Sequence, residues 1–155
     1  MNKKFKFDIQ RFGGGVLTYD PKKHIIIFGA KQITGFADDS IVSIAPSGEG
    51  FQKYVGADGE VGRSIDPNET FEVTISLATS SKSNEYFSEM YNIDRKTGAG
   101  MLPLMIKDLS GATMFFAEQA WVQNFPEGGR GRTIDTMEWV LDTGQVNDPI
   151  LGGND

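Results

Sequence analysis

The decapeptide ETFEVTISLA, residues 69–78, restricts the fold more than any other stretch. Phe71, Val73, Ile75 and Leu77 recur at every second position, with Thr70, Glu72, Thr74 and Ser76 between them. Side chains along a strand alternate between its two faces, so this order predicts a strand with one core face and one polar face. A helix would scatter the same residues around its circumference. The pattern returns in TIDTMEWVLDT (133–143), where Met137, Trp139 and Leu141 share a face opposite Thr136, Glu138 and Asp142. Shorter strand-like runs are HIIIF (24–28), QITGF (32–36) and SIVSIA (40–45). MLPLMIKD (101–108) and ATMFFAEQAWVQ (112–123) form a further pair, joined as a hairpin by LSG.

One segment breaks the two-residue period. In TSSKSNEYFSEMYNI (79–93), Phe87, Met90 and Tyr91 fall at i, i+3 and i+4, the stripe of an amphipathic helix. Ser80, Ser81 and Ser83 are candidate N-caps, Glu85 suits the positive helix end, and RKTGAG terminates it. About eight strands and one helix predict a mainly β chain, a sandwich or barrel with a flanking helix.

VGADGEVGRS (55–64) is the most glycine-rich charged stretch inside this pattern. It lies between the strand-like FQKYV (51–55) and EVGRS (60–64), with Asp58-Gly59 at the centre. Asp-Gly is a strong hairpin signal, and a type I′ turn with φ > 0 at both central residues is expected. The residues fit ligand binding poorly. A calcium loop needs more oxygen ligands than this stretch offers, and Arg63 stands where another should be. A phosphate loop needs a following Lys-Ser/Thr and a helix, and neither is present.

Other chemistry is equally poorly provided for. The chain has no cysteine and a single histidine, His24, so thiol nucleophiles, Cys-based zinc sites and multi-His metal sites within one chain are excluded. Asp38-Asp39, Asp58/Glu60 and Glu138/Asp142 are visible carboxylate pairs, but turns and hairpin tips do not supply the burial that raises a catalytic pKa. EGGRGR (127–132) offers two arginines to a phosphate, yet it reads more simply as a polar loop between strands. Trp121, Trp139, Tyr19, Tyr54, Phe115 and Phe116 suggest either a sugar-binding platform or, more simply, core aromatics. No catalytic residue, metal site or cofactor is expected.

Charge is unevenly placed. Residues 1–31 hold seven Lys/Arg and two Asp (net +5), and residues 32–155 hold eight Lys/Arg and nineteen Asp/Glu (net −11), giving −6 in all. An acidic body is a poor nucleic-acid binder. The basic N-terminal stretch MNKKFKFDIQRFGGG (1–15) alternates Phe5, Phe7 and Ile9 with polar residues, and Phe12 precedes three glycines. It reads either as an arm that adds a strand to a neighbour or as a disordered tail. No apolar run reaches the roughly 18 residues of a membrane span, and no signal core follows the basic start, so a cytoplasmic product is expected. Strands, glycine loops, a detachable arm (1–15), a body (16–143) and an apolar-tipped tail (144–155) suit a protein whose work is assembly.

Five segments, in order, are similar to phage tail tube proteins of myovirus-type prophages and phage-tail-like bacteriocins. They are TYDPKK, ITGFADDSIVSI, FQKYVGADGEVGRS, TFEVTISLATSSKSNEYFSEMY and LPLMIKDLSGATMFFAEQAWV, spanning roughly residues 16–143. The resemblance implies a β-barrel or sandwich with a flanking helix. It implies six copies in a ring and stacked rings forming a hollow tube, with sheath and baseplate proteins as partners. Assembly would take place in the host cytoplasm, without a membrane. The tube would conduct DNA in a phage or form the inner tube of a contractile bacteriocin. The resemblance also implies that the hairpin tip, with Val55, Gly56, Asp58, Gly59, Glu60 and Arg63, touches a neighbour. An acidic lumen would repel passing DNA, and Glu72, Thr74 and Ser76, with Glu138 or Asp142, are its candidate lining. The alternatives are a single-ring terminator or baseplate protein of the same fold, or a carbohydrate-binding β-sandwich.

Overall fold

Alternation becomes burial along the predicted strands, and nine of them form in the computed structural model, which describes residues 20–153. After a 3-10 turn at Pro21–Lys23 come β1 (His24–Phe28), β2 (Lys31–Gln32), β3 (Val42–Pro46), β4 (Phe51–Val55), β5 (Val61–Ile65) and β6 (Phe71–Ala78). Helix α1 (Ser83–Thr97) follows, then β7 (Leu102–Asp108), β8 (Met114–Asn124) and β9 (Thr136–Thr143). Seven strands make one antiparallel sheet in the order β2-β1-β7-β8-β9-β6-β3, while β4 and β5 pair only with each other. The arm residues Phe5, Phe7, Ile9 and Phe12, and Tyr19, lie outside the described residues.

Of the two expected architectures, sandwich or barrel, the closed barrel does not form within the described residues. The sheet ends at β2 and β3, which do not pair. Residues 31–37 link its two sides at one end instead. The Ile33 N–H donates to the Ile26 carbonyl of β1, and the Ala37 N–H to the Ser76 carbonyl of β6. Phe36 and Leu77 form an isolated bridge. Gly35, at φ +77°, turns the chain between these contacts, so the predicted QITGF strand shrinks to two residues and a bridge. Below it, His24 and Ile106 face Val42 and Ile44 across an open hollow.

The core is one cluster. Val73, Ile75 and Leu77 of β6, Leu104 and Ile106 of β7, Phe115 of β8, and Trp139 and Leu141 of β9 are all buried, as the alternation predicts. Helix α1 closes one side with Phe87, fully buried against Phe28 and Trp139 at centroid distances of 5.8 and 5.4 Å. Met90 and Tyr91 pack beside it. The helix ends inside the expected terminator RKTGAG, at Thr97, where the left-handed Gly98 caps it and its N–H donates to the Asp94 carbonyl. Its N-terminus is held by Ser81, whose hydroxyl accepts the Ser83 N–H (3.2 Å) and donates to the Thr34 carbonyl (2.6 Å).

Two polar contacts that periodicity does not reveal fasten helix to sheet. The Trp139 indole N–H donates to Asn84 Oδ1 at 2.9 Å, and the Asn84 amide donates to the Ala78 and Ser81 carbonyls. The Tyr86 hydroxyl donates to the Phe28 carbonyl at 2.7 Å, and burial raises its pKa above the ordinary phenol value. The C-terminal stretch is also tied down. Val146 is buried, and Ile150 exchanges backbone hydrogen bonds with Met114. Among the described residues no helix is long and apolar enough to cross a membrane.

Candidate assembly surfaces

Three surfaces separate from the core. The first is the β4–β5 hairpin, in register from Phe51↔Ile65 through Lys53↔Arg63 to Val55↔Val61. Its loop differs from the expected type I′ turn. Only Gly59 has positive φ, at +87°. The Gly59 N–H donates to the Gly56 carbonyl and the Gly56 N–H to the Glu60 carbonyl. That is a type I turn followed by a left-handed residue in a three-residue loop. Asp58 Oδ1 accepts the Glu60 N–H, which stiffens the tip and leaves Asp58 without the left-handed backbone it was expected to need.

All ten strand residues of this hairpin are exposed. Asp58, Gly59 and Glu60 sit at the tip, while Val55 and Arg63 lie on one face of the strands behind it. Sequence reasoning missed the rest of that face. Phe51 (60% exposed), Val61 (65%) and Ile65 (68%) join Val55 there, and Arg63 lies over the Phe51 ring at 4.6 Å. Strand alternation around Asp-Gly was the signal that could have found them. The hairpin base is pinned by Asp66, whose carboxylate accepts the N–H groups of Glu49 (2.8 Å) and Asn68 (3.0 Å). These two backbone bonds hold its pKa below the ordinary value.

The second surface is the outward face of β6 and β9. Glu72 lies opposite Asp142, Thr74 opposite Val140 and Ser76 opposite Glu138, so all five predicted lining residues share one face, with Val140 among them. Glu72 and Glu138 are exposed and Thr74 and Asp142 half-buried, but Ser76 is buried. It lies where the segment 36–41 runs alongside β6, bonding Ala37 and Ile41 through its backbone. Ser76 therefore does not present a polar group to any lumen.

The third is the outward face of β1, β7 and β8. Ile27, Met105 and Phe116 line up across three strands, and Ile25, Lys107 and Met114 form the adjacent row. Phe116 and Met114 are exposed, at 44% and 41%. The suggested aromatic platform is thereby dispersed. Trp139 and Phe115 are core, Trp121 is half-buried, and Tyr54 stands on the hairpin.

Two of the remaining polar candidates, His24 and Arg130, have structural partners. His24 starts β1 with Nδ1 4.0 Å from Asp108 Oδ2. The Asp108 pKa is lowered chiefly by the Ser110 backbone N–H, with smaller help from the Ser110 hydroxyl, His24 and Lys23. Arg130 of the EGGRGR loop donates to the Thr79 carbonyl at 3.4 Å. No cluster of three or more metal-ligating side chains occurs among the described residues.

Comparison with known proteins gives this arrangement a setting. The family model described as bacteriophage PhiTE tail tube protein matches residues 28–152. Structural protein ORF10 of Pseudomonas phage KPP10 is 33% identical over 136 residues, covering 83% of this chain and 79% of that protein. Among solved structures, the tube-terminating cap of the anti-feeding prophage superposes with a TM-score of 0.57 at 13% identity, covering 90% of this chain and 97% of the cap. A chain of the PVC sheath/tube terminator, from an extracellular contractile injection system in its extended state, gives 0.58 at 14%, covering 85% and 96%. A chain of the PVC sheath-tube complex gives 0.58 at 14%, covering 86% and 93%. These structural likenesses bear on the fold. The family match over most of the sequence, with the phage relative beside it, shows that this chain belongs to the bacteriophage PhiTE tail tube protein family and is a tail structural protein.

Proposed function

We propose that the chain is the repeating subunit of a tail tube, with six copies to a ring and rings stacked into a hollow conduit. The observation that carries this is the β4–β5 hairpin, exposed along its whole length in a chain of the tail tube family. A lone two-stranded hairpin is marginally stable in water. One that projects apolar residues from both strands is suited to a neighbour, through its face and through Val55, Gly56, Asp58, Gly59, Glu60 and Arg63. In this reading Glu72, Thr74 and Asp142 line the bore. Glu72 and Asp142 face each other across paired strands, an arrangement that weakens a sheet but repels a passing phosphate backbone. The arm residues Phe5, Phe7, Ile9 and Phe12 anchor on an adjacent subunit. Sheath and baseplate proteins complete the particle, whether it is a phage tail that conducts DNA or a contractile bacteriocin.

A second reading, a terminator that makes one ring and stops, is favoured by the likeness to the tube-terminating cap. Electron microscopy of the purified chain over a concentration series separates the two. Stacked tubes of uniform bore support the conduit. Single rings at every concentration support the terminator, and monomers that persist with added baseplate oppose both.

A further inference from the structure

We propose that the apolar–basic face of the β4–β5 hairpin docks into the acidic hollow beside β9 on a second copy of this chain. The face is set by register. Phe51 and Ile65 form one cross-strand pair, Lys53 and Arg63 the next, and Val55 and Val61 the third, all on the same side. Successive pairs on one face are about 7 Å apart, so two apolar contacts flank one doubly basic centre. Like charges placed directly across a strand pair are unfavourable. Among the described residues neither Lys53 nor Arg63 forms an ion pair, and Arg63 rests instead on the Phe51 ring. The occupant that fits this face carries negative charge between apolar contacts.

The body of the same chain offers that charge. A hollow beside the start of β9 is lined by Glu127, Asp135 and Glu138, all exposed, and no basic residue lines it. Ile134, which adjoins it in sequence, is 70% exposed, while Phe125 stacks on Tyr91 and Trp139. Of the two arginines on this loop, Arg130 is engaged with the Thr79 carbonyl. The doubly basic centre of the hairpin face therefore meets an acidic cluster on the body. Two different surfaces joined in this way make a heterologous contact, which leaves a hairpin unfilled at one end and a hollow unfilled at the other. Such contacts close into rings or propagate as stacks. The contact rests on the tube proposal for its setting and not for its chemistry. It also assigns Glu138 to a subunit contact rather than to the bore.

The absence of cysteine makes the test direct. An Ala57→Cys chain, altered at the exposed hairpin tip, and a Gly128→Cys chain, altered in the hollow where a new Cβ meets nothing within 4 Å, are mixed and treated with a short bis-maleimide. The expected result is a mixed dimer several-fold above that from Ala57→Cys with Glu89→Cys, a control on the exposed side of α1. Equal yields overturn the contact. A charge swap gives a second readout on chains shown folded by circular dichroism. Lys53→Glu with Arg63→Glu loses self-association, and mixing with a Glu127→Lys, Asp135→Lys chain restores it. Failure to restore overturns the pairing. Tubes in the microscope without the mixed dimer reject this contact and leave the conduit standing. The mixed dimer in compact, non-tubular particles supports the contact and rejects the conduit.

Discussion

The β6–β9 pair and the β4–β5 hairpin are both antiparallel ladders with alternating side chains, yet they differ in what alternation obtains for them. Val73, Ile75, Leu77, Trp139 and Leu141 disappear into a core shared with helix α1. Phe51, Val55, Val61 and Ile65 alternate as regularly and remain in water. The strand pattern itself is the same, so what separates the two is the presence of a covering layer. In the tube proposed above, a ladder that lacks one is the surface offered to another copy.

The largest effect that breaks the comparison is expected from truncating equivalent apolar residues in the two places. Trp139→Ala should cost about 3–5 kcal/mol, because it removes a fully buried ring and orphans Asn84 Oδ1. Phe51→Ser with Ile65→Ser should leave the monomer within about 0.5 kcal/mol of the parent, as exposed substitutions do. The same pair should abolish self-association. Urea unfolding and sedimentation of both variants measure the contrast. A hairpin variant as destabilised as Trp139→Ala would show that the two ladders share one core after all.

A smaller effect is expected where helix meets sheet. Asn84→Ala leaves the buried Trp139 indole N–H without an acceptor, at a cost of about 1–3 kcal/mol. Asn84→Asp retains an acceptor and should recover part of it. Equal loss in both variants would assign the cost to the Asn84 amide bonds with Ala78 and Ser81 instead.

These contacts mark how far the sequence was legible. Strand positions follow from period-two order because burial on one face imposes it, and β4 and β7 to β9 lie close to where the sequence puts them. The helix stripe Phe87, Met90 and Tyr91 was legible for the same reason. What was not legible depends on partners distant in sequence. Asn84 bonds Trp139 across 55 positions, and Tyr86 bonds Phe28 across 58. The sheet is open because β2 and β3 do not pair, and the left-handed turn at Gly35 in the segment between them is something no periodicity reports. Ser76 looked solvent-facing because alternation names a face, and whether that face is open at a given residue is a tertiary fact, here settled where residues 36–41 run alongside β6. For the hairpin, the tip residues were visible from Asp-Gly chemistry. The face behind them escaped notice because exposed apolar strands read, in sequence, like any other strands.

At the hairpin tip a change confined to one backbone angle is expected. Gly59→Val meets no atom within 4 Å of its new Cβ, so its cost is the left-handed backbone alone, about 1–2 kcal/mol. Because, among the described residues, the two strands of the hairpin pair only with each other, that cost should appear as local opening. Amide exchange in β4 and β5 should rise while the global unfolding midpoint stays put, and self-association should weaken. A shifted global midpoint would show the hairpin to be cooperative with the core.

The smallest expected effect lies at the joint between the two regions. Asp66 accepts the Glu49 and Asn68 N–H groups, and those bonds hold its pKa below the ordinary aspartate value of 3.8. For a carboxylate whose folded pKa is depressed, the stabilisation is complete above the unfolded value and is lost as pH falls through the folded one. The clamp is therefore intact at neutral pH and releases only below the usual aspartate range. The Glu49 and Asn68 amide resonances should titrate together, with a shared midpoint under 3.8, and the β4–β5 ladder should gain exchange over the same interval. Core amides such as Ile75 and Leu141 should not respond in that interval to Asp66 protonation. Asp66→Asn keeps an acceptor oxygen without the charge, so it should remove the titration while retaining a weaker bond to one of the two amides. A shared midpoint at or above 3.8 would mean that the backbone bonds do not hold the carboxylate. The hairpin would then be free to swing about its base, and its docking face would have to be ordered by the partner alone.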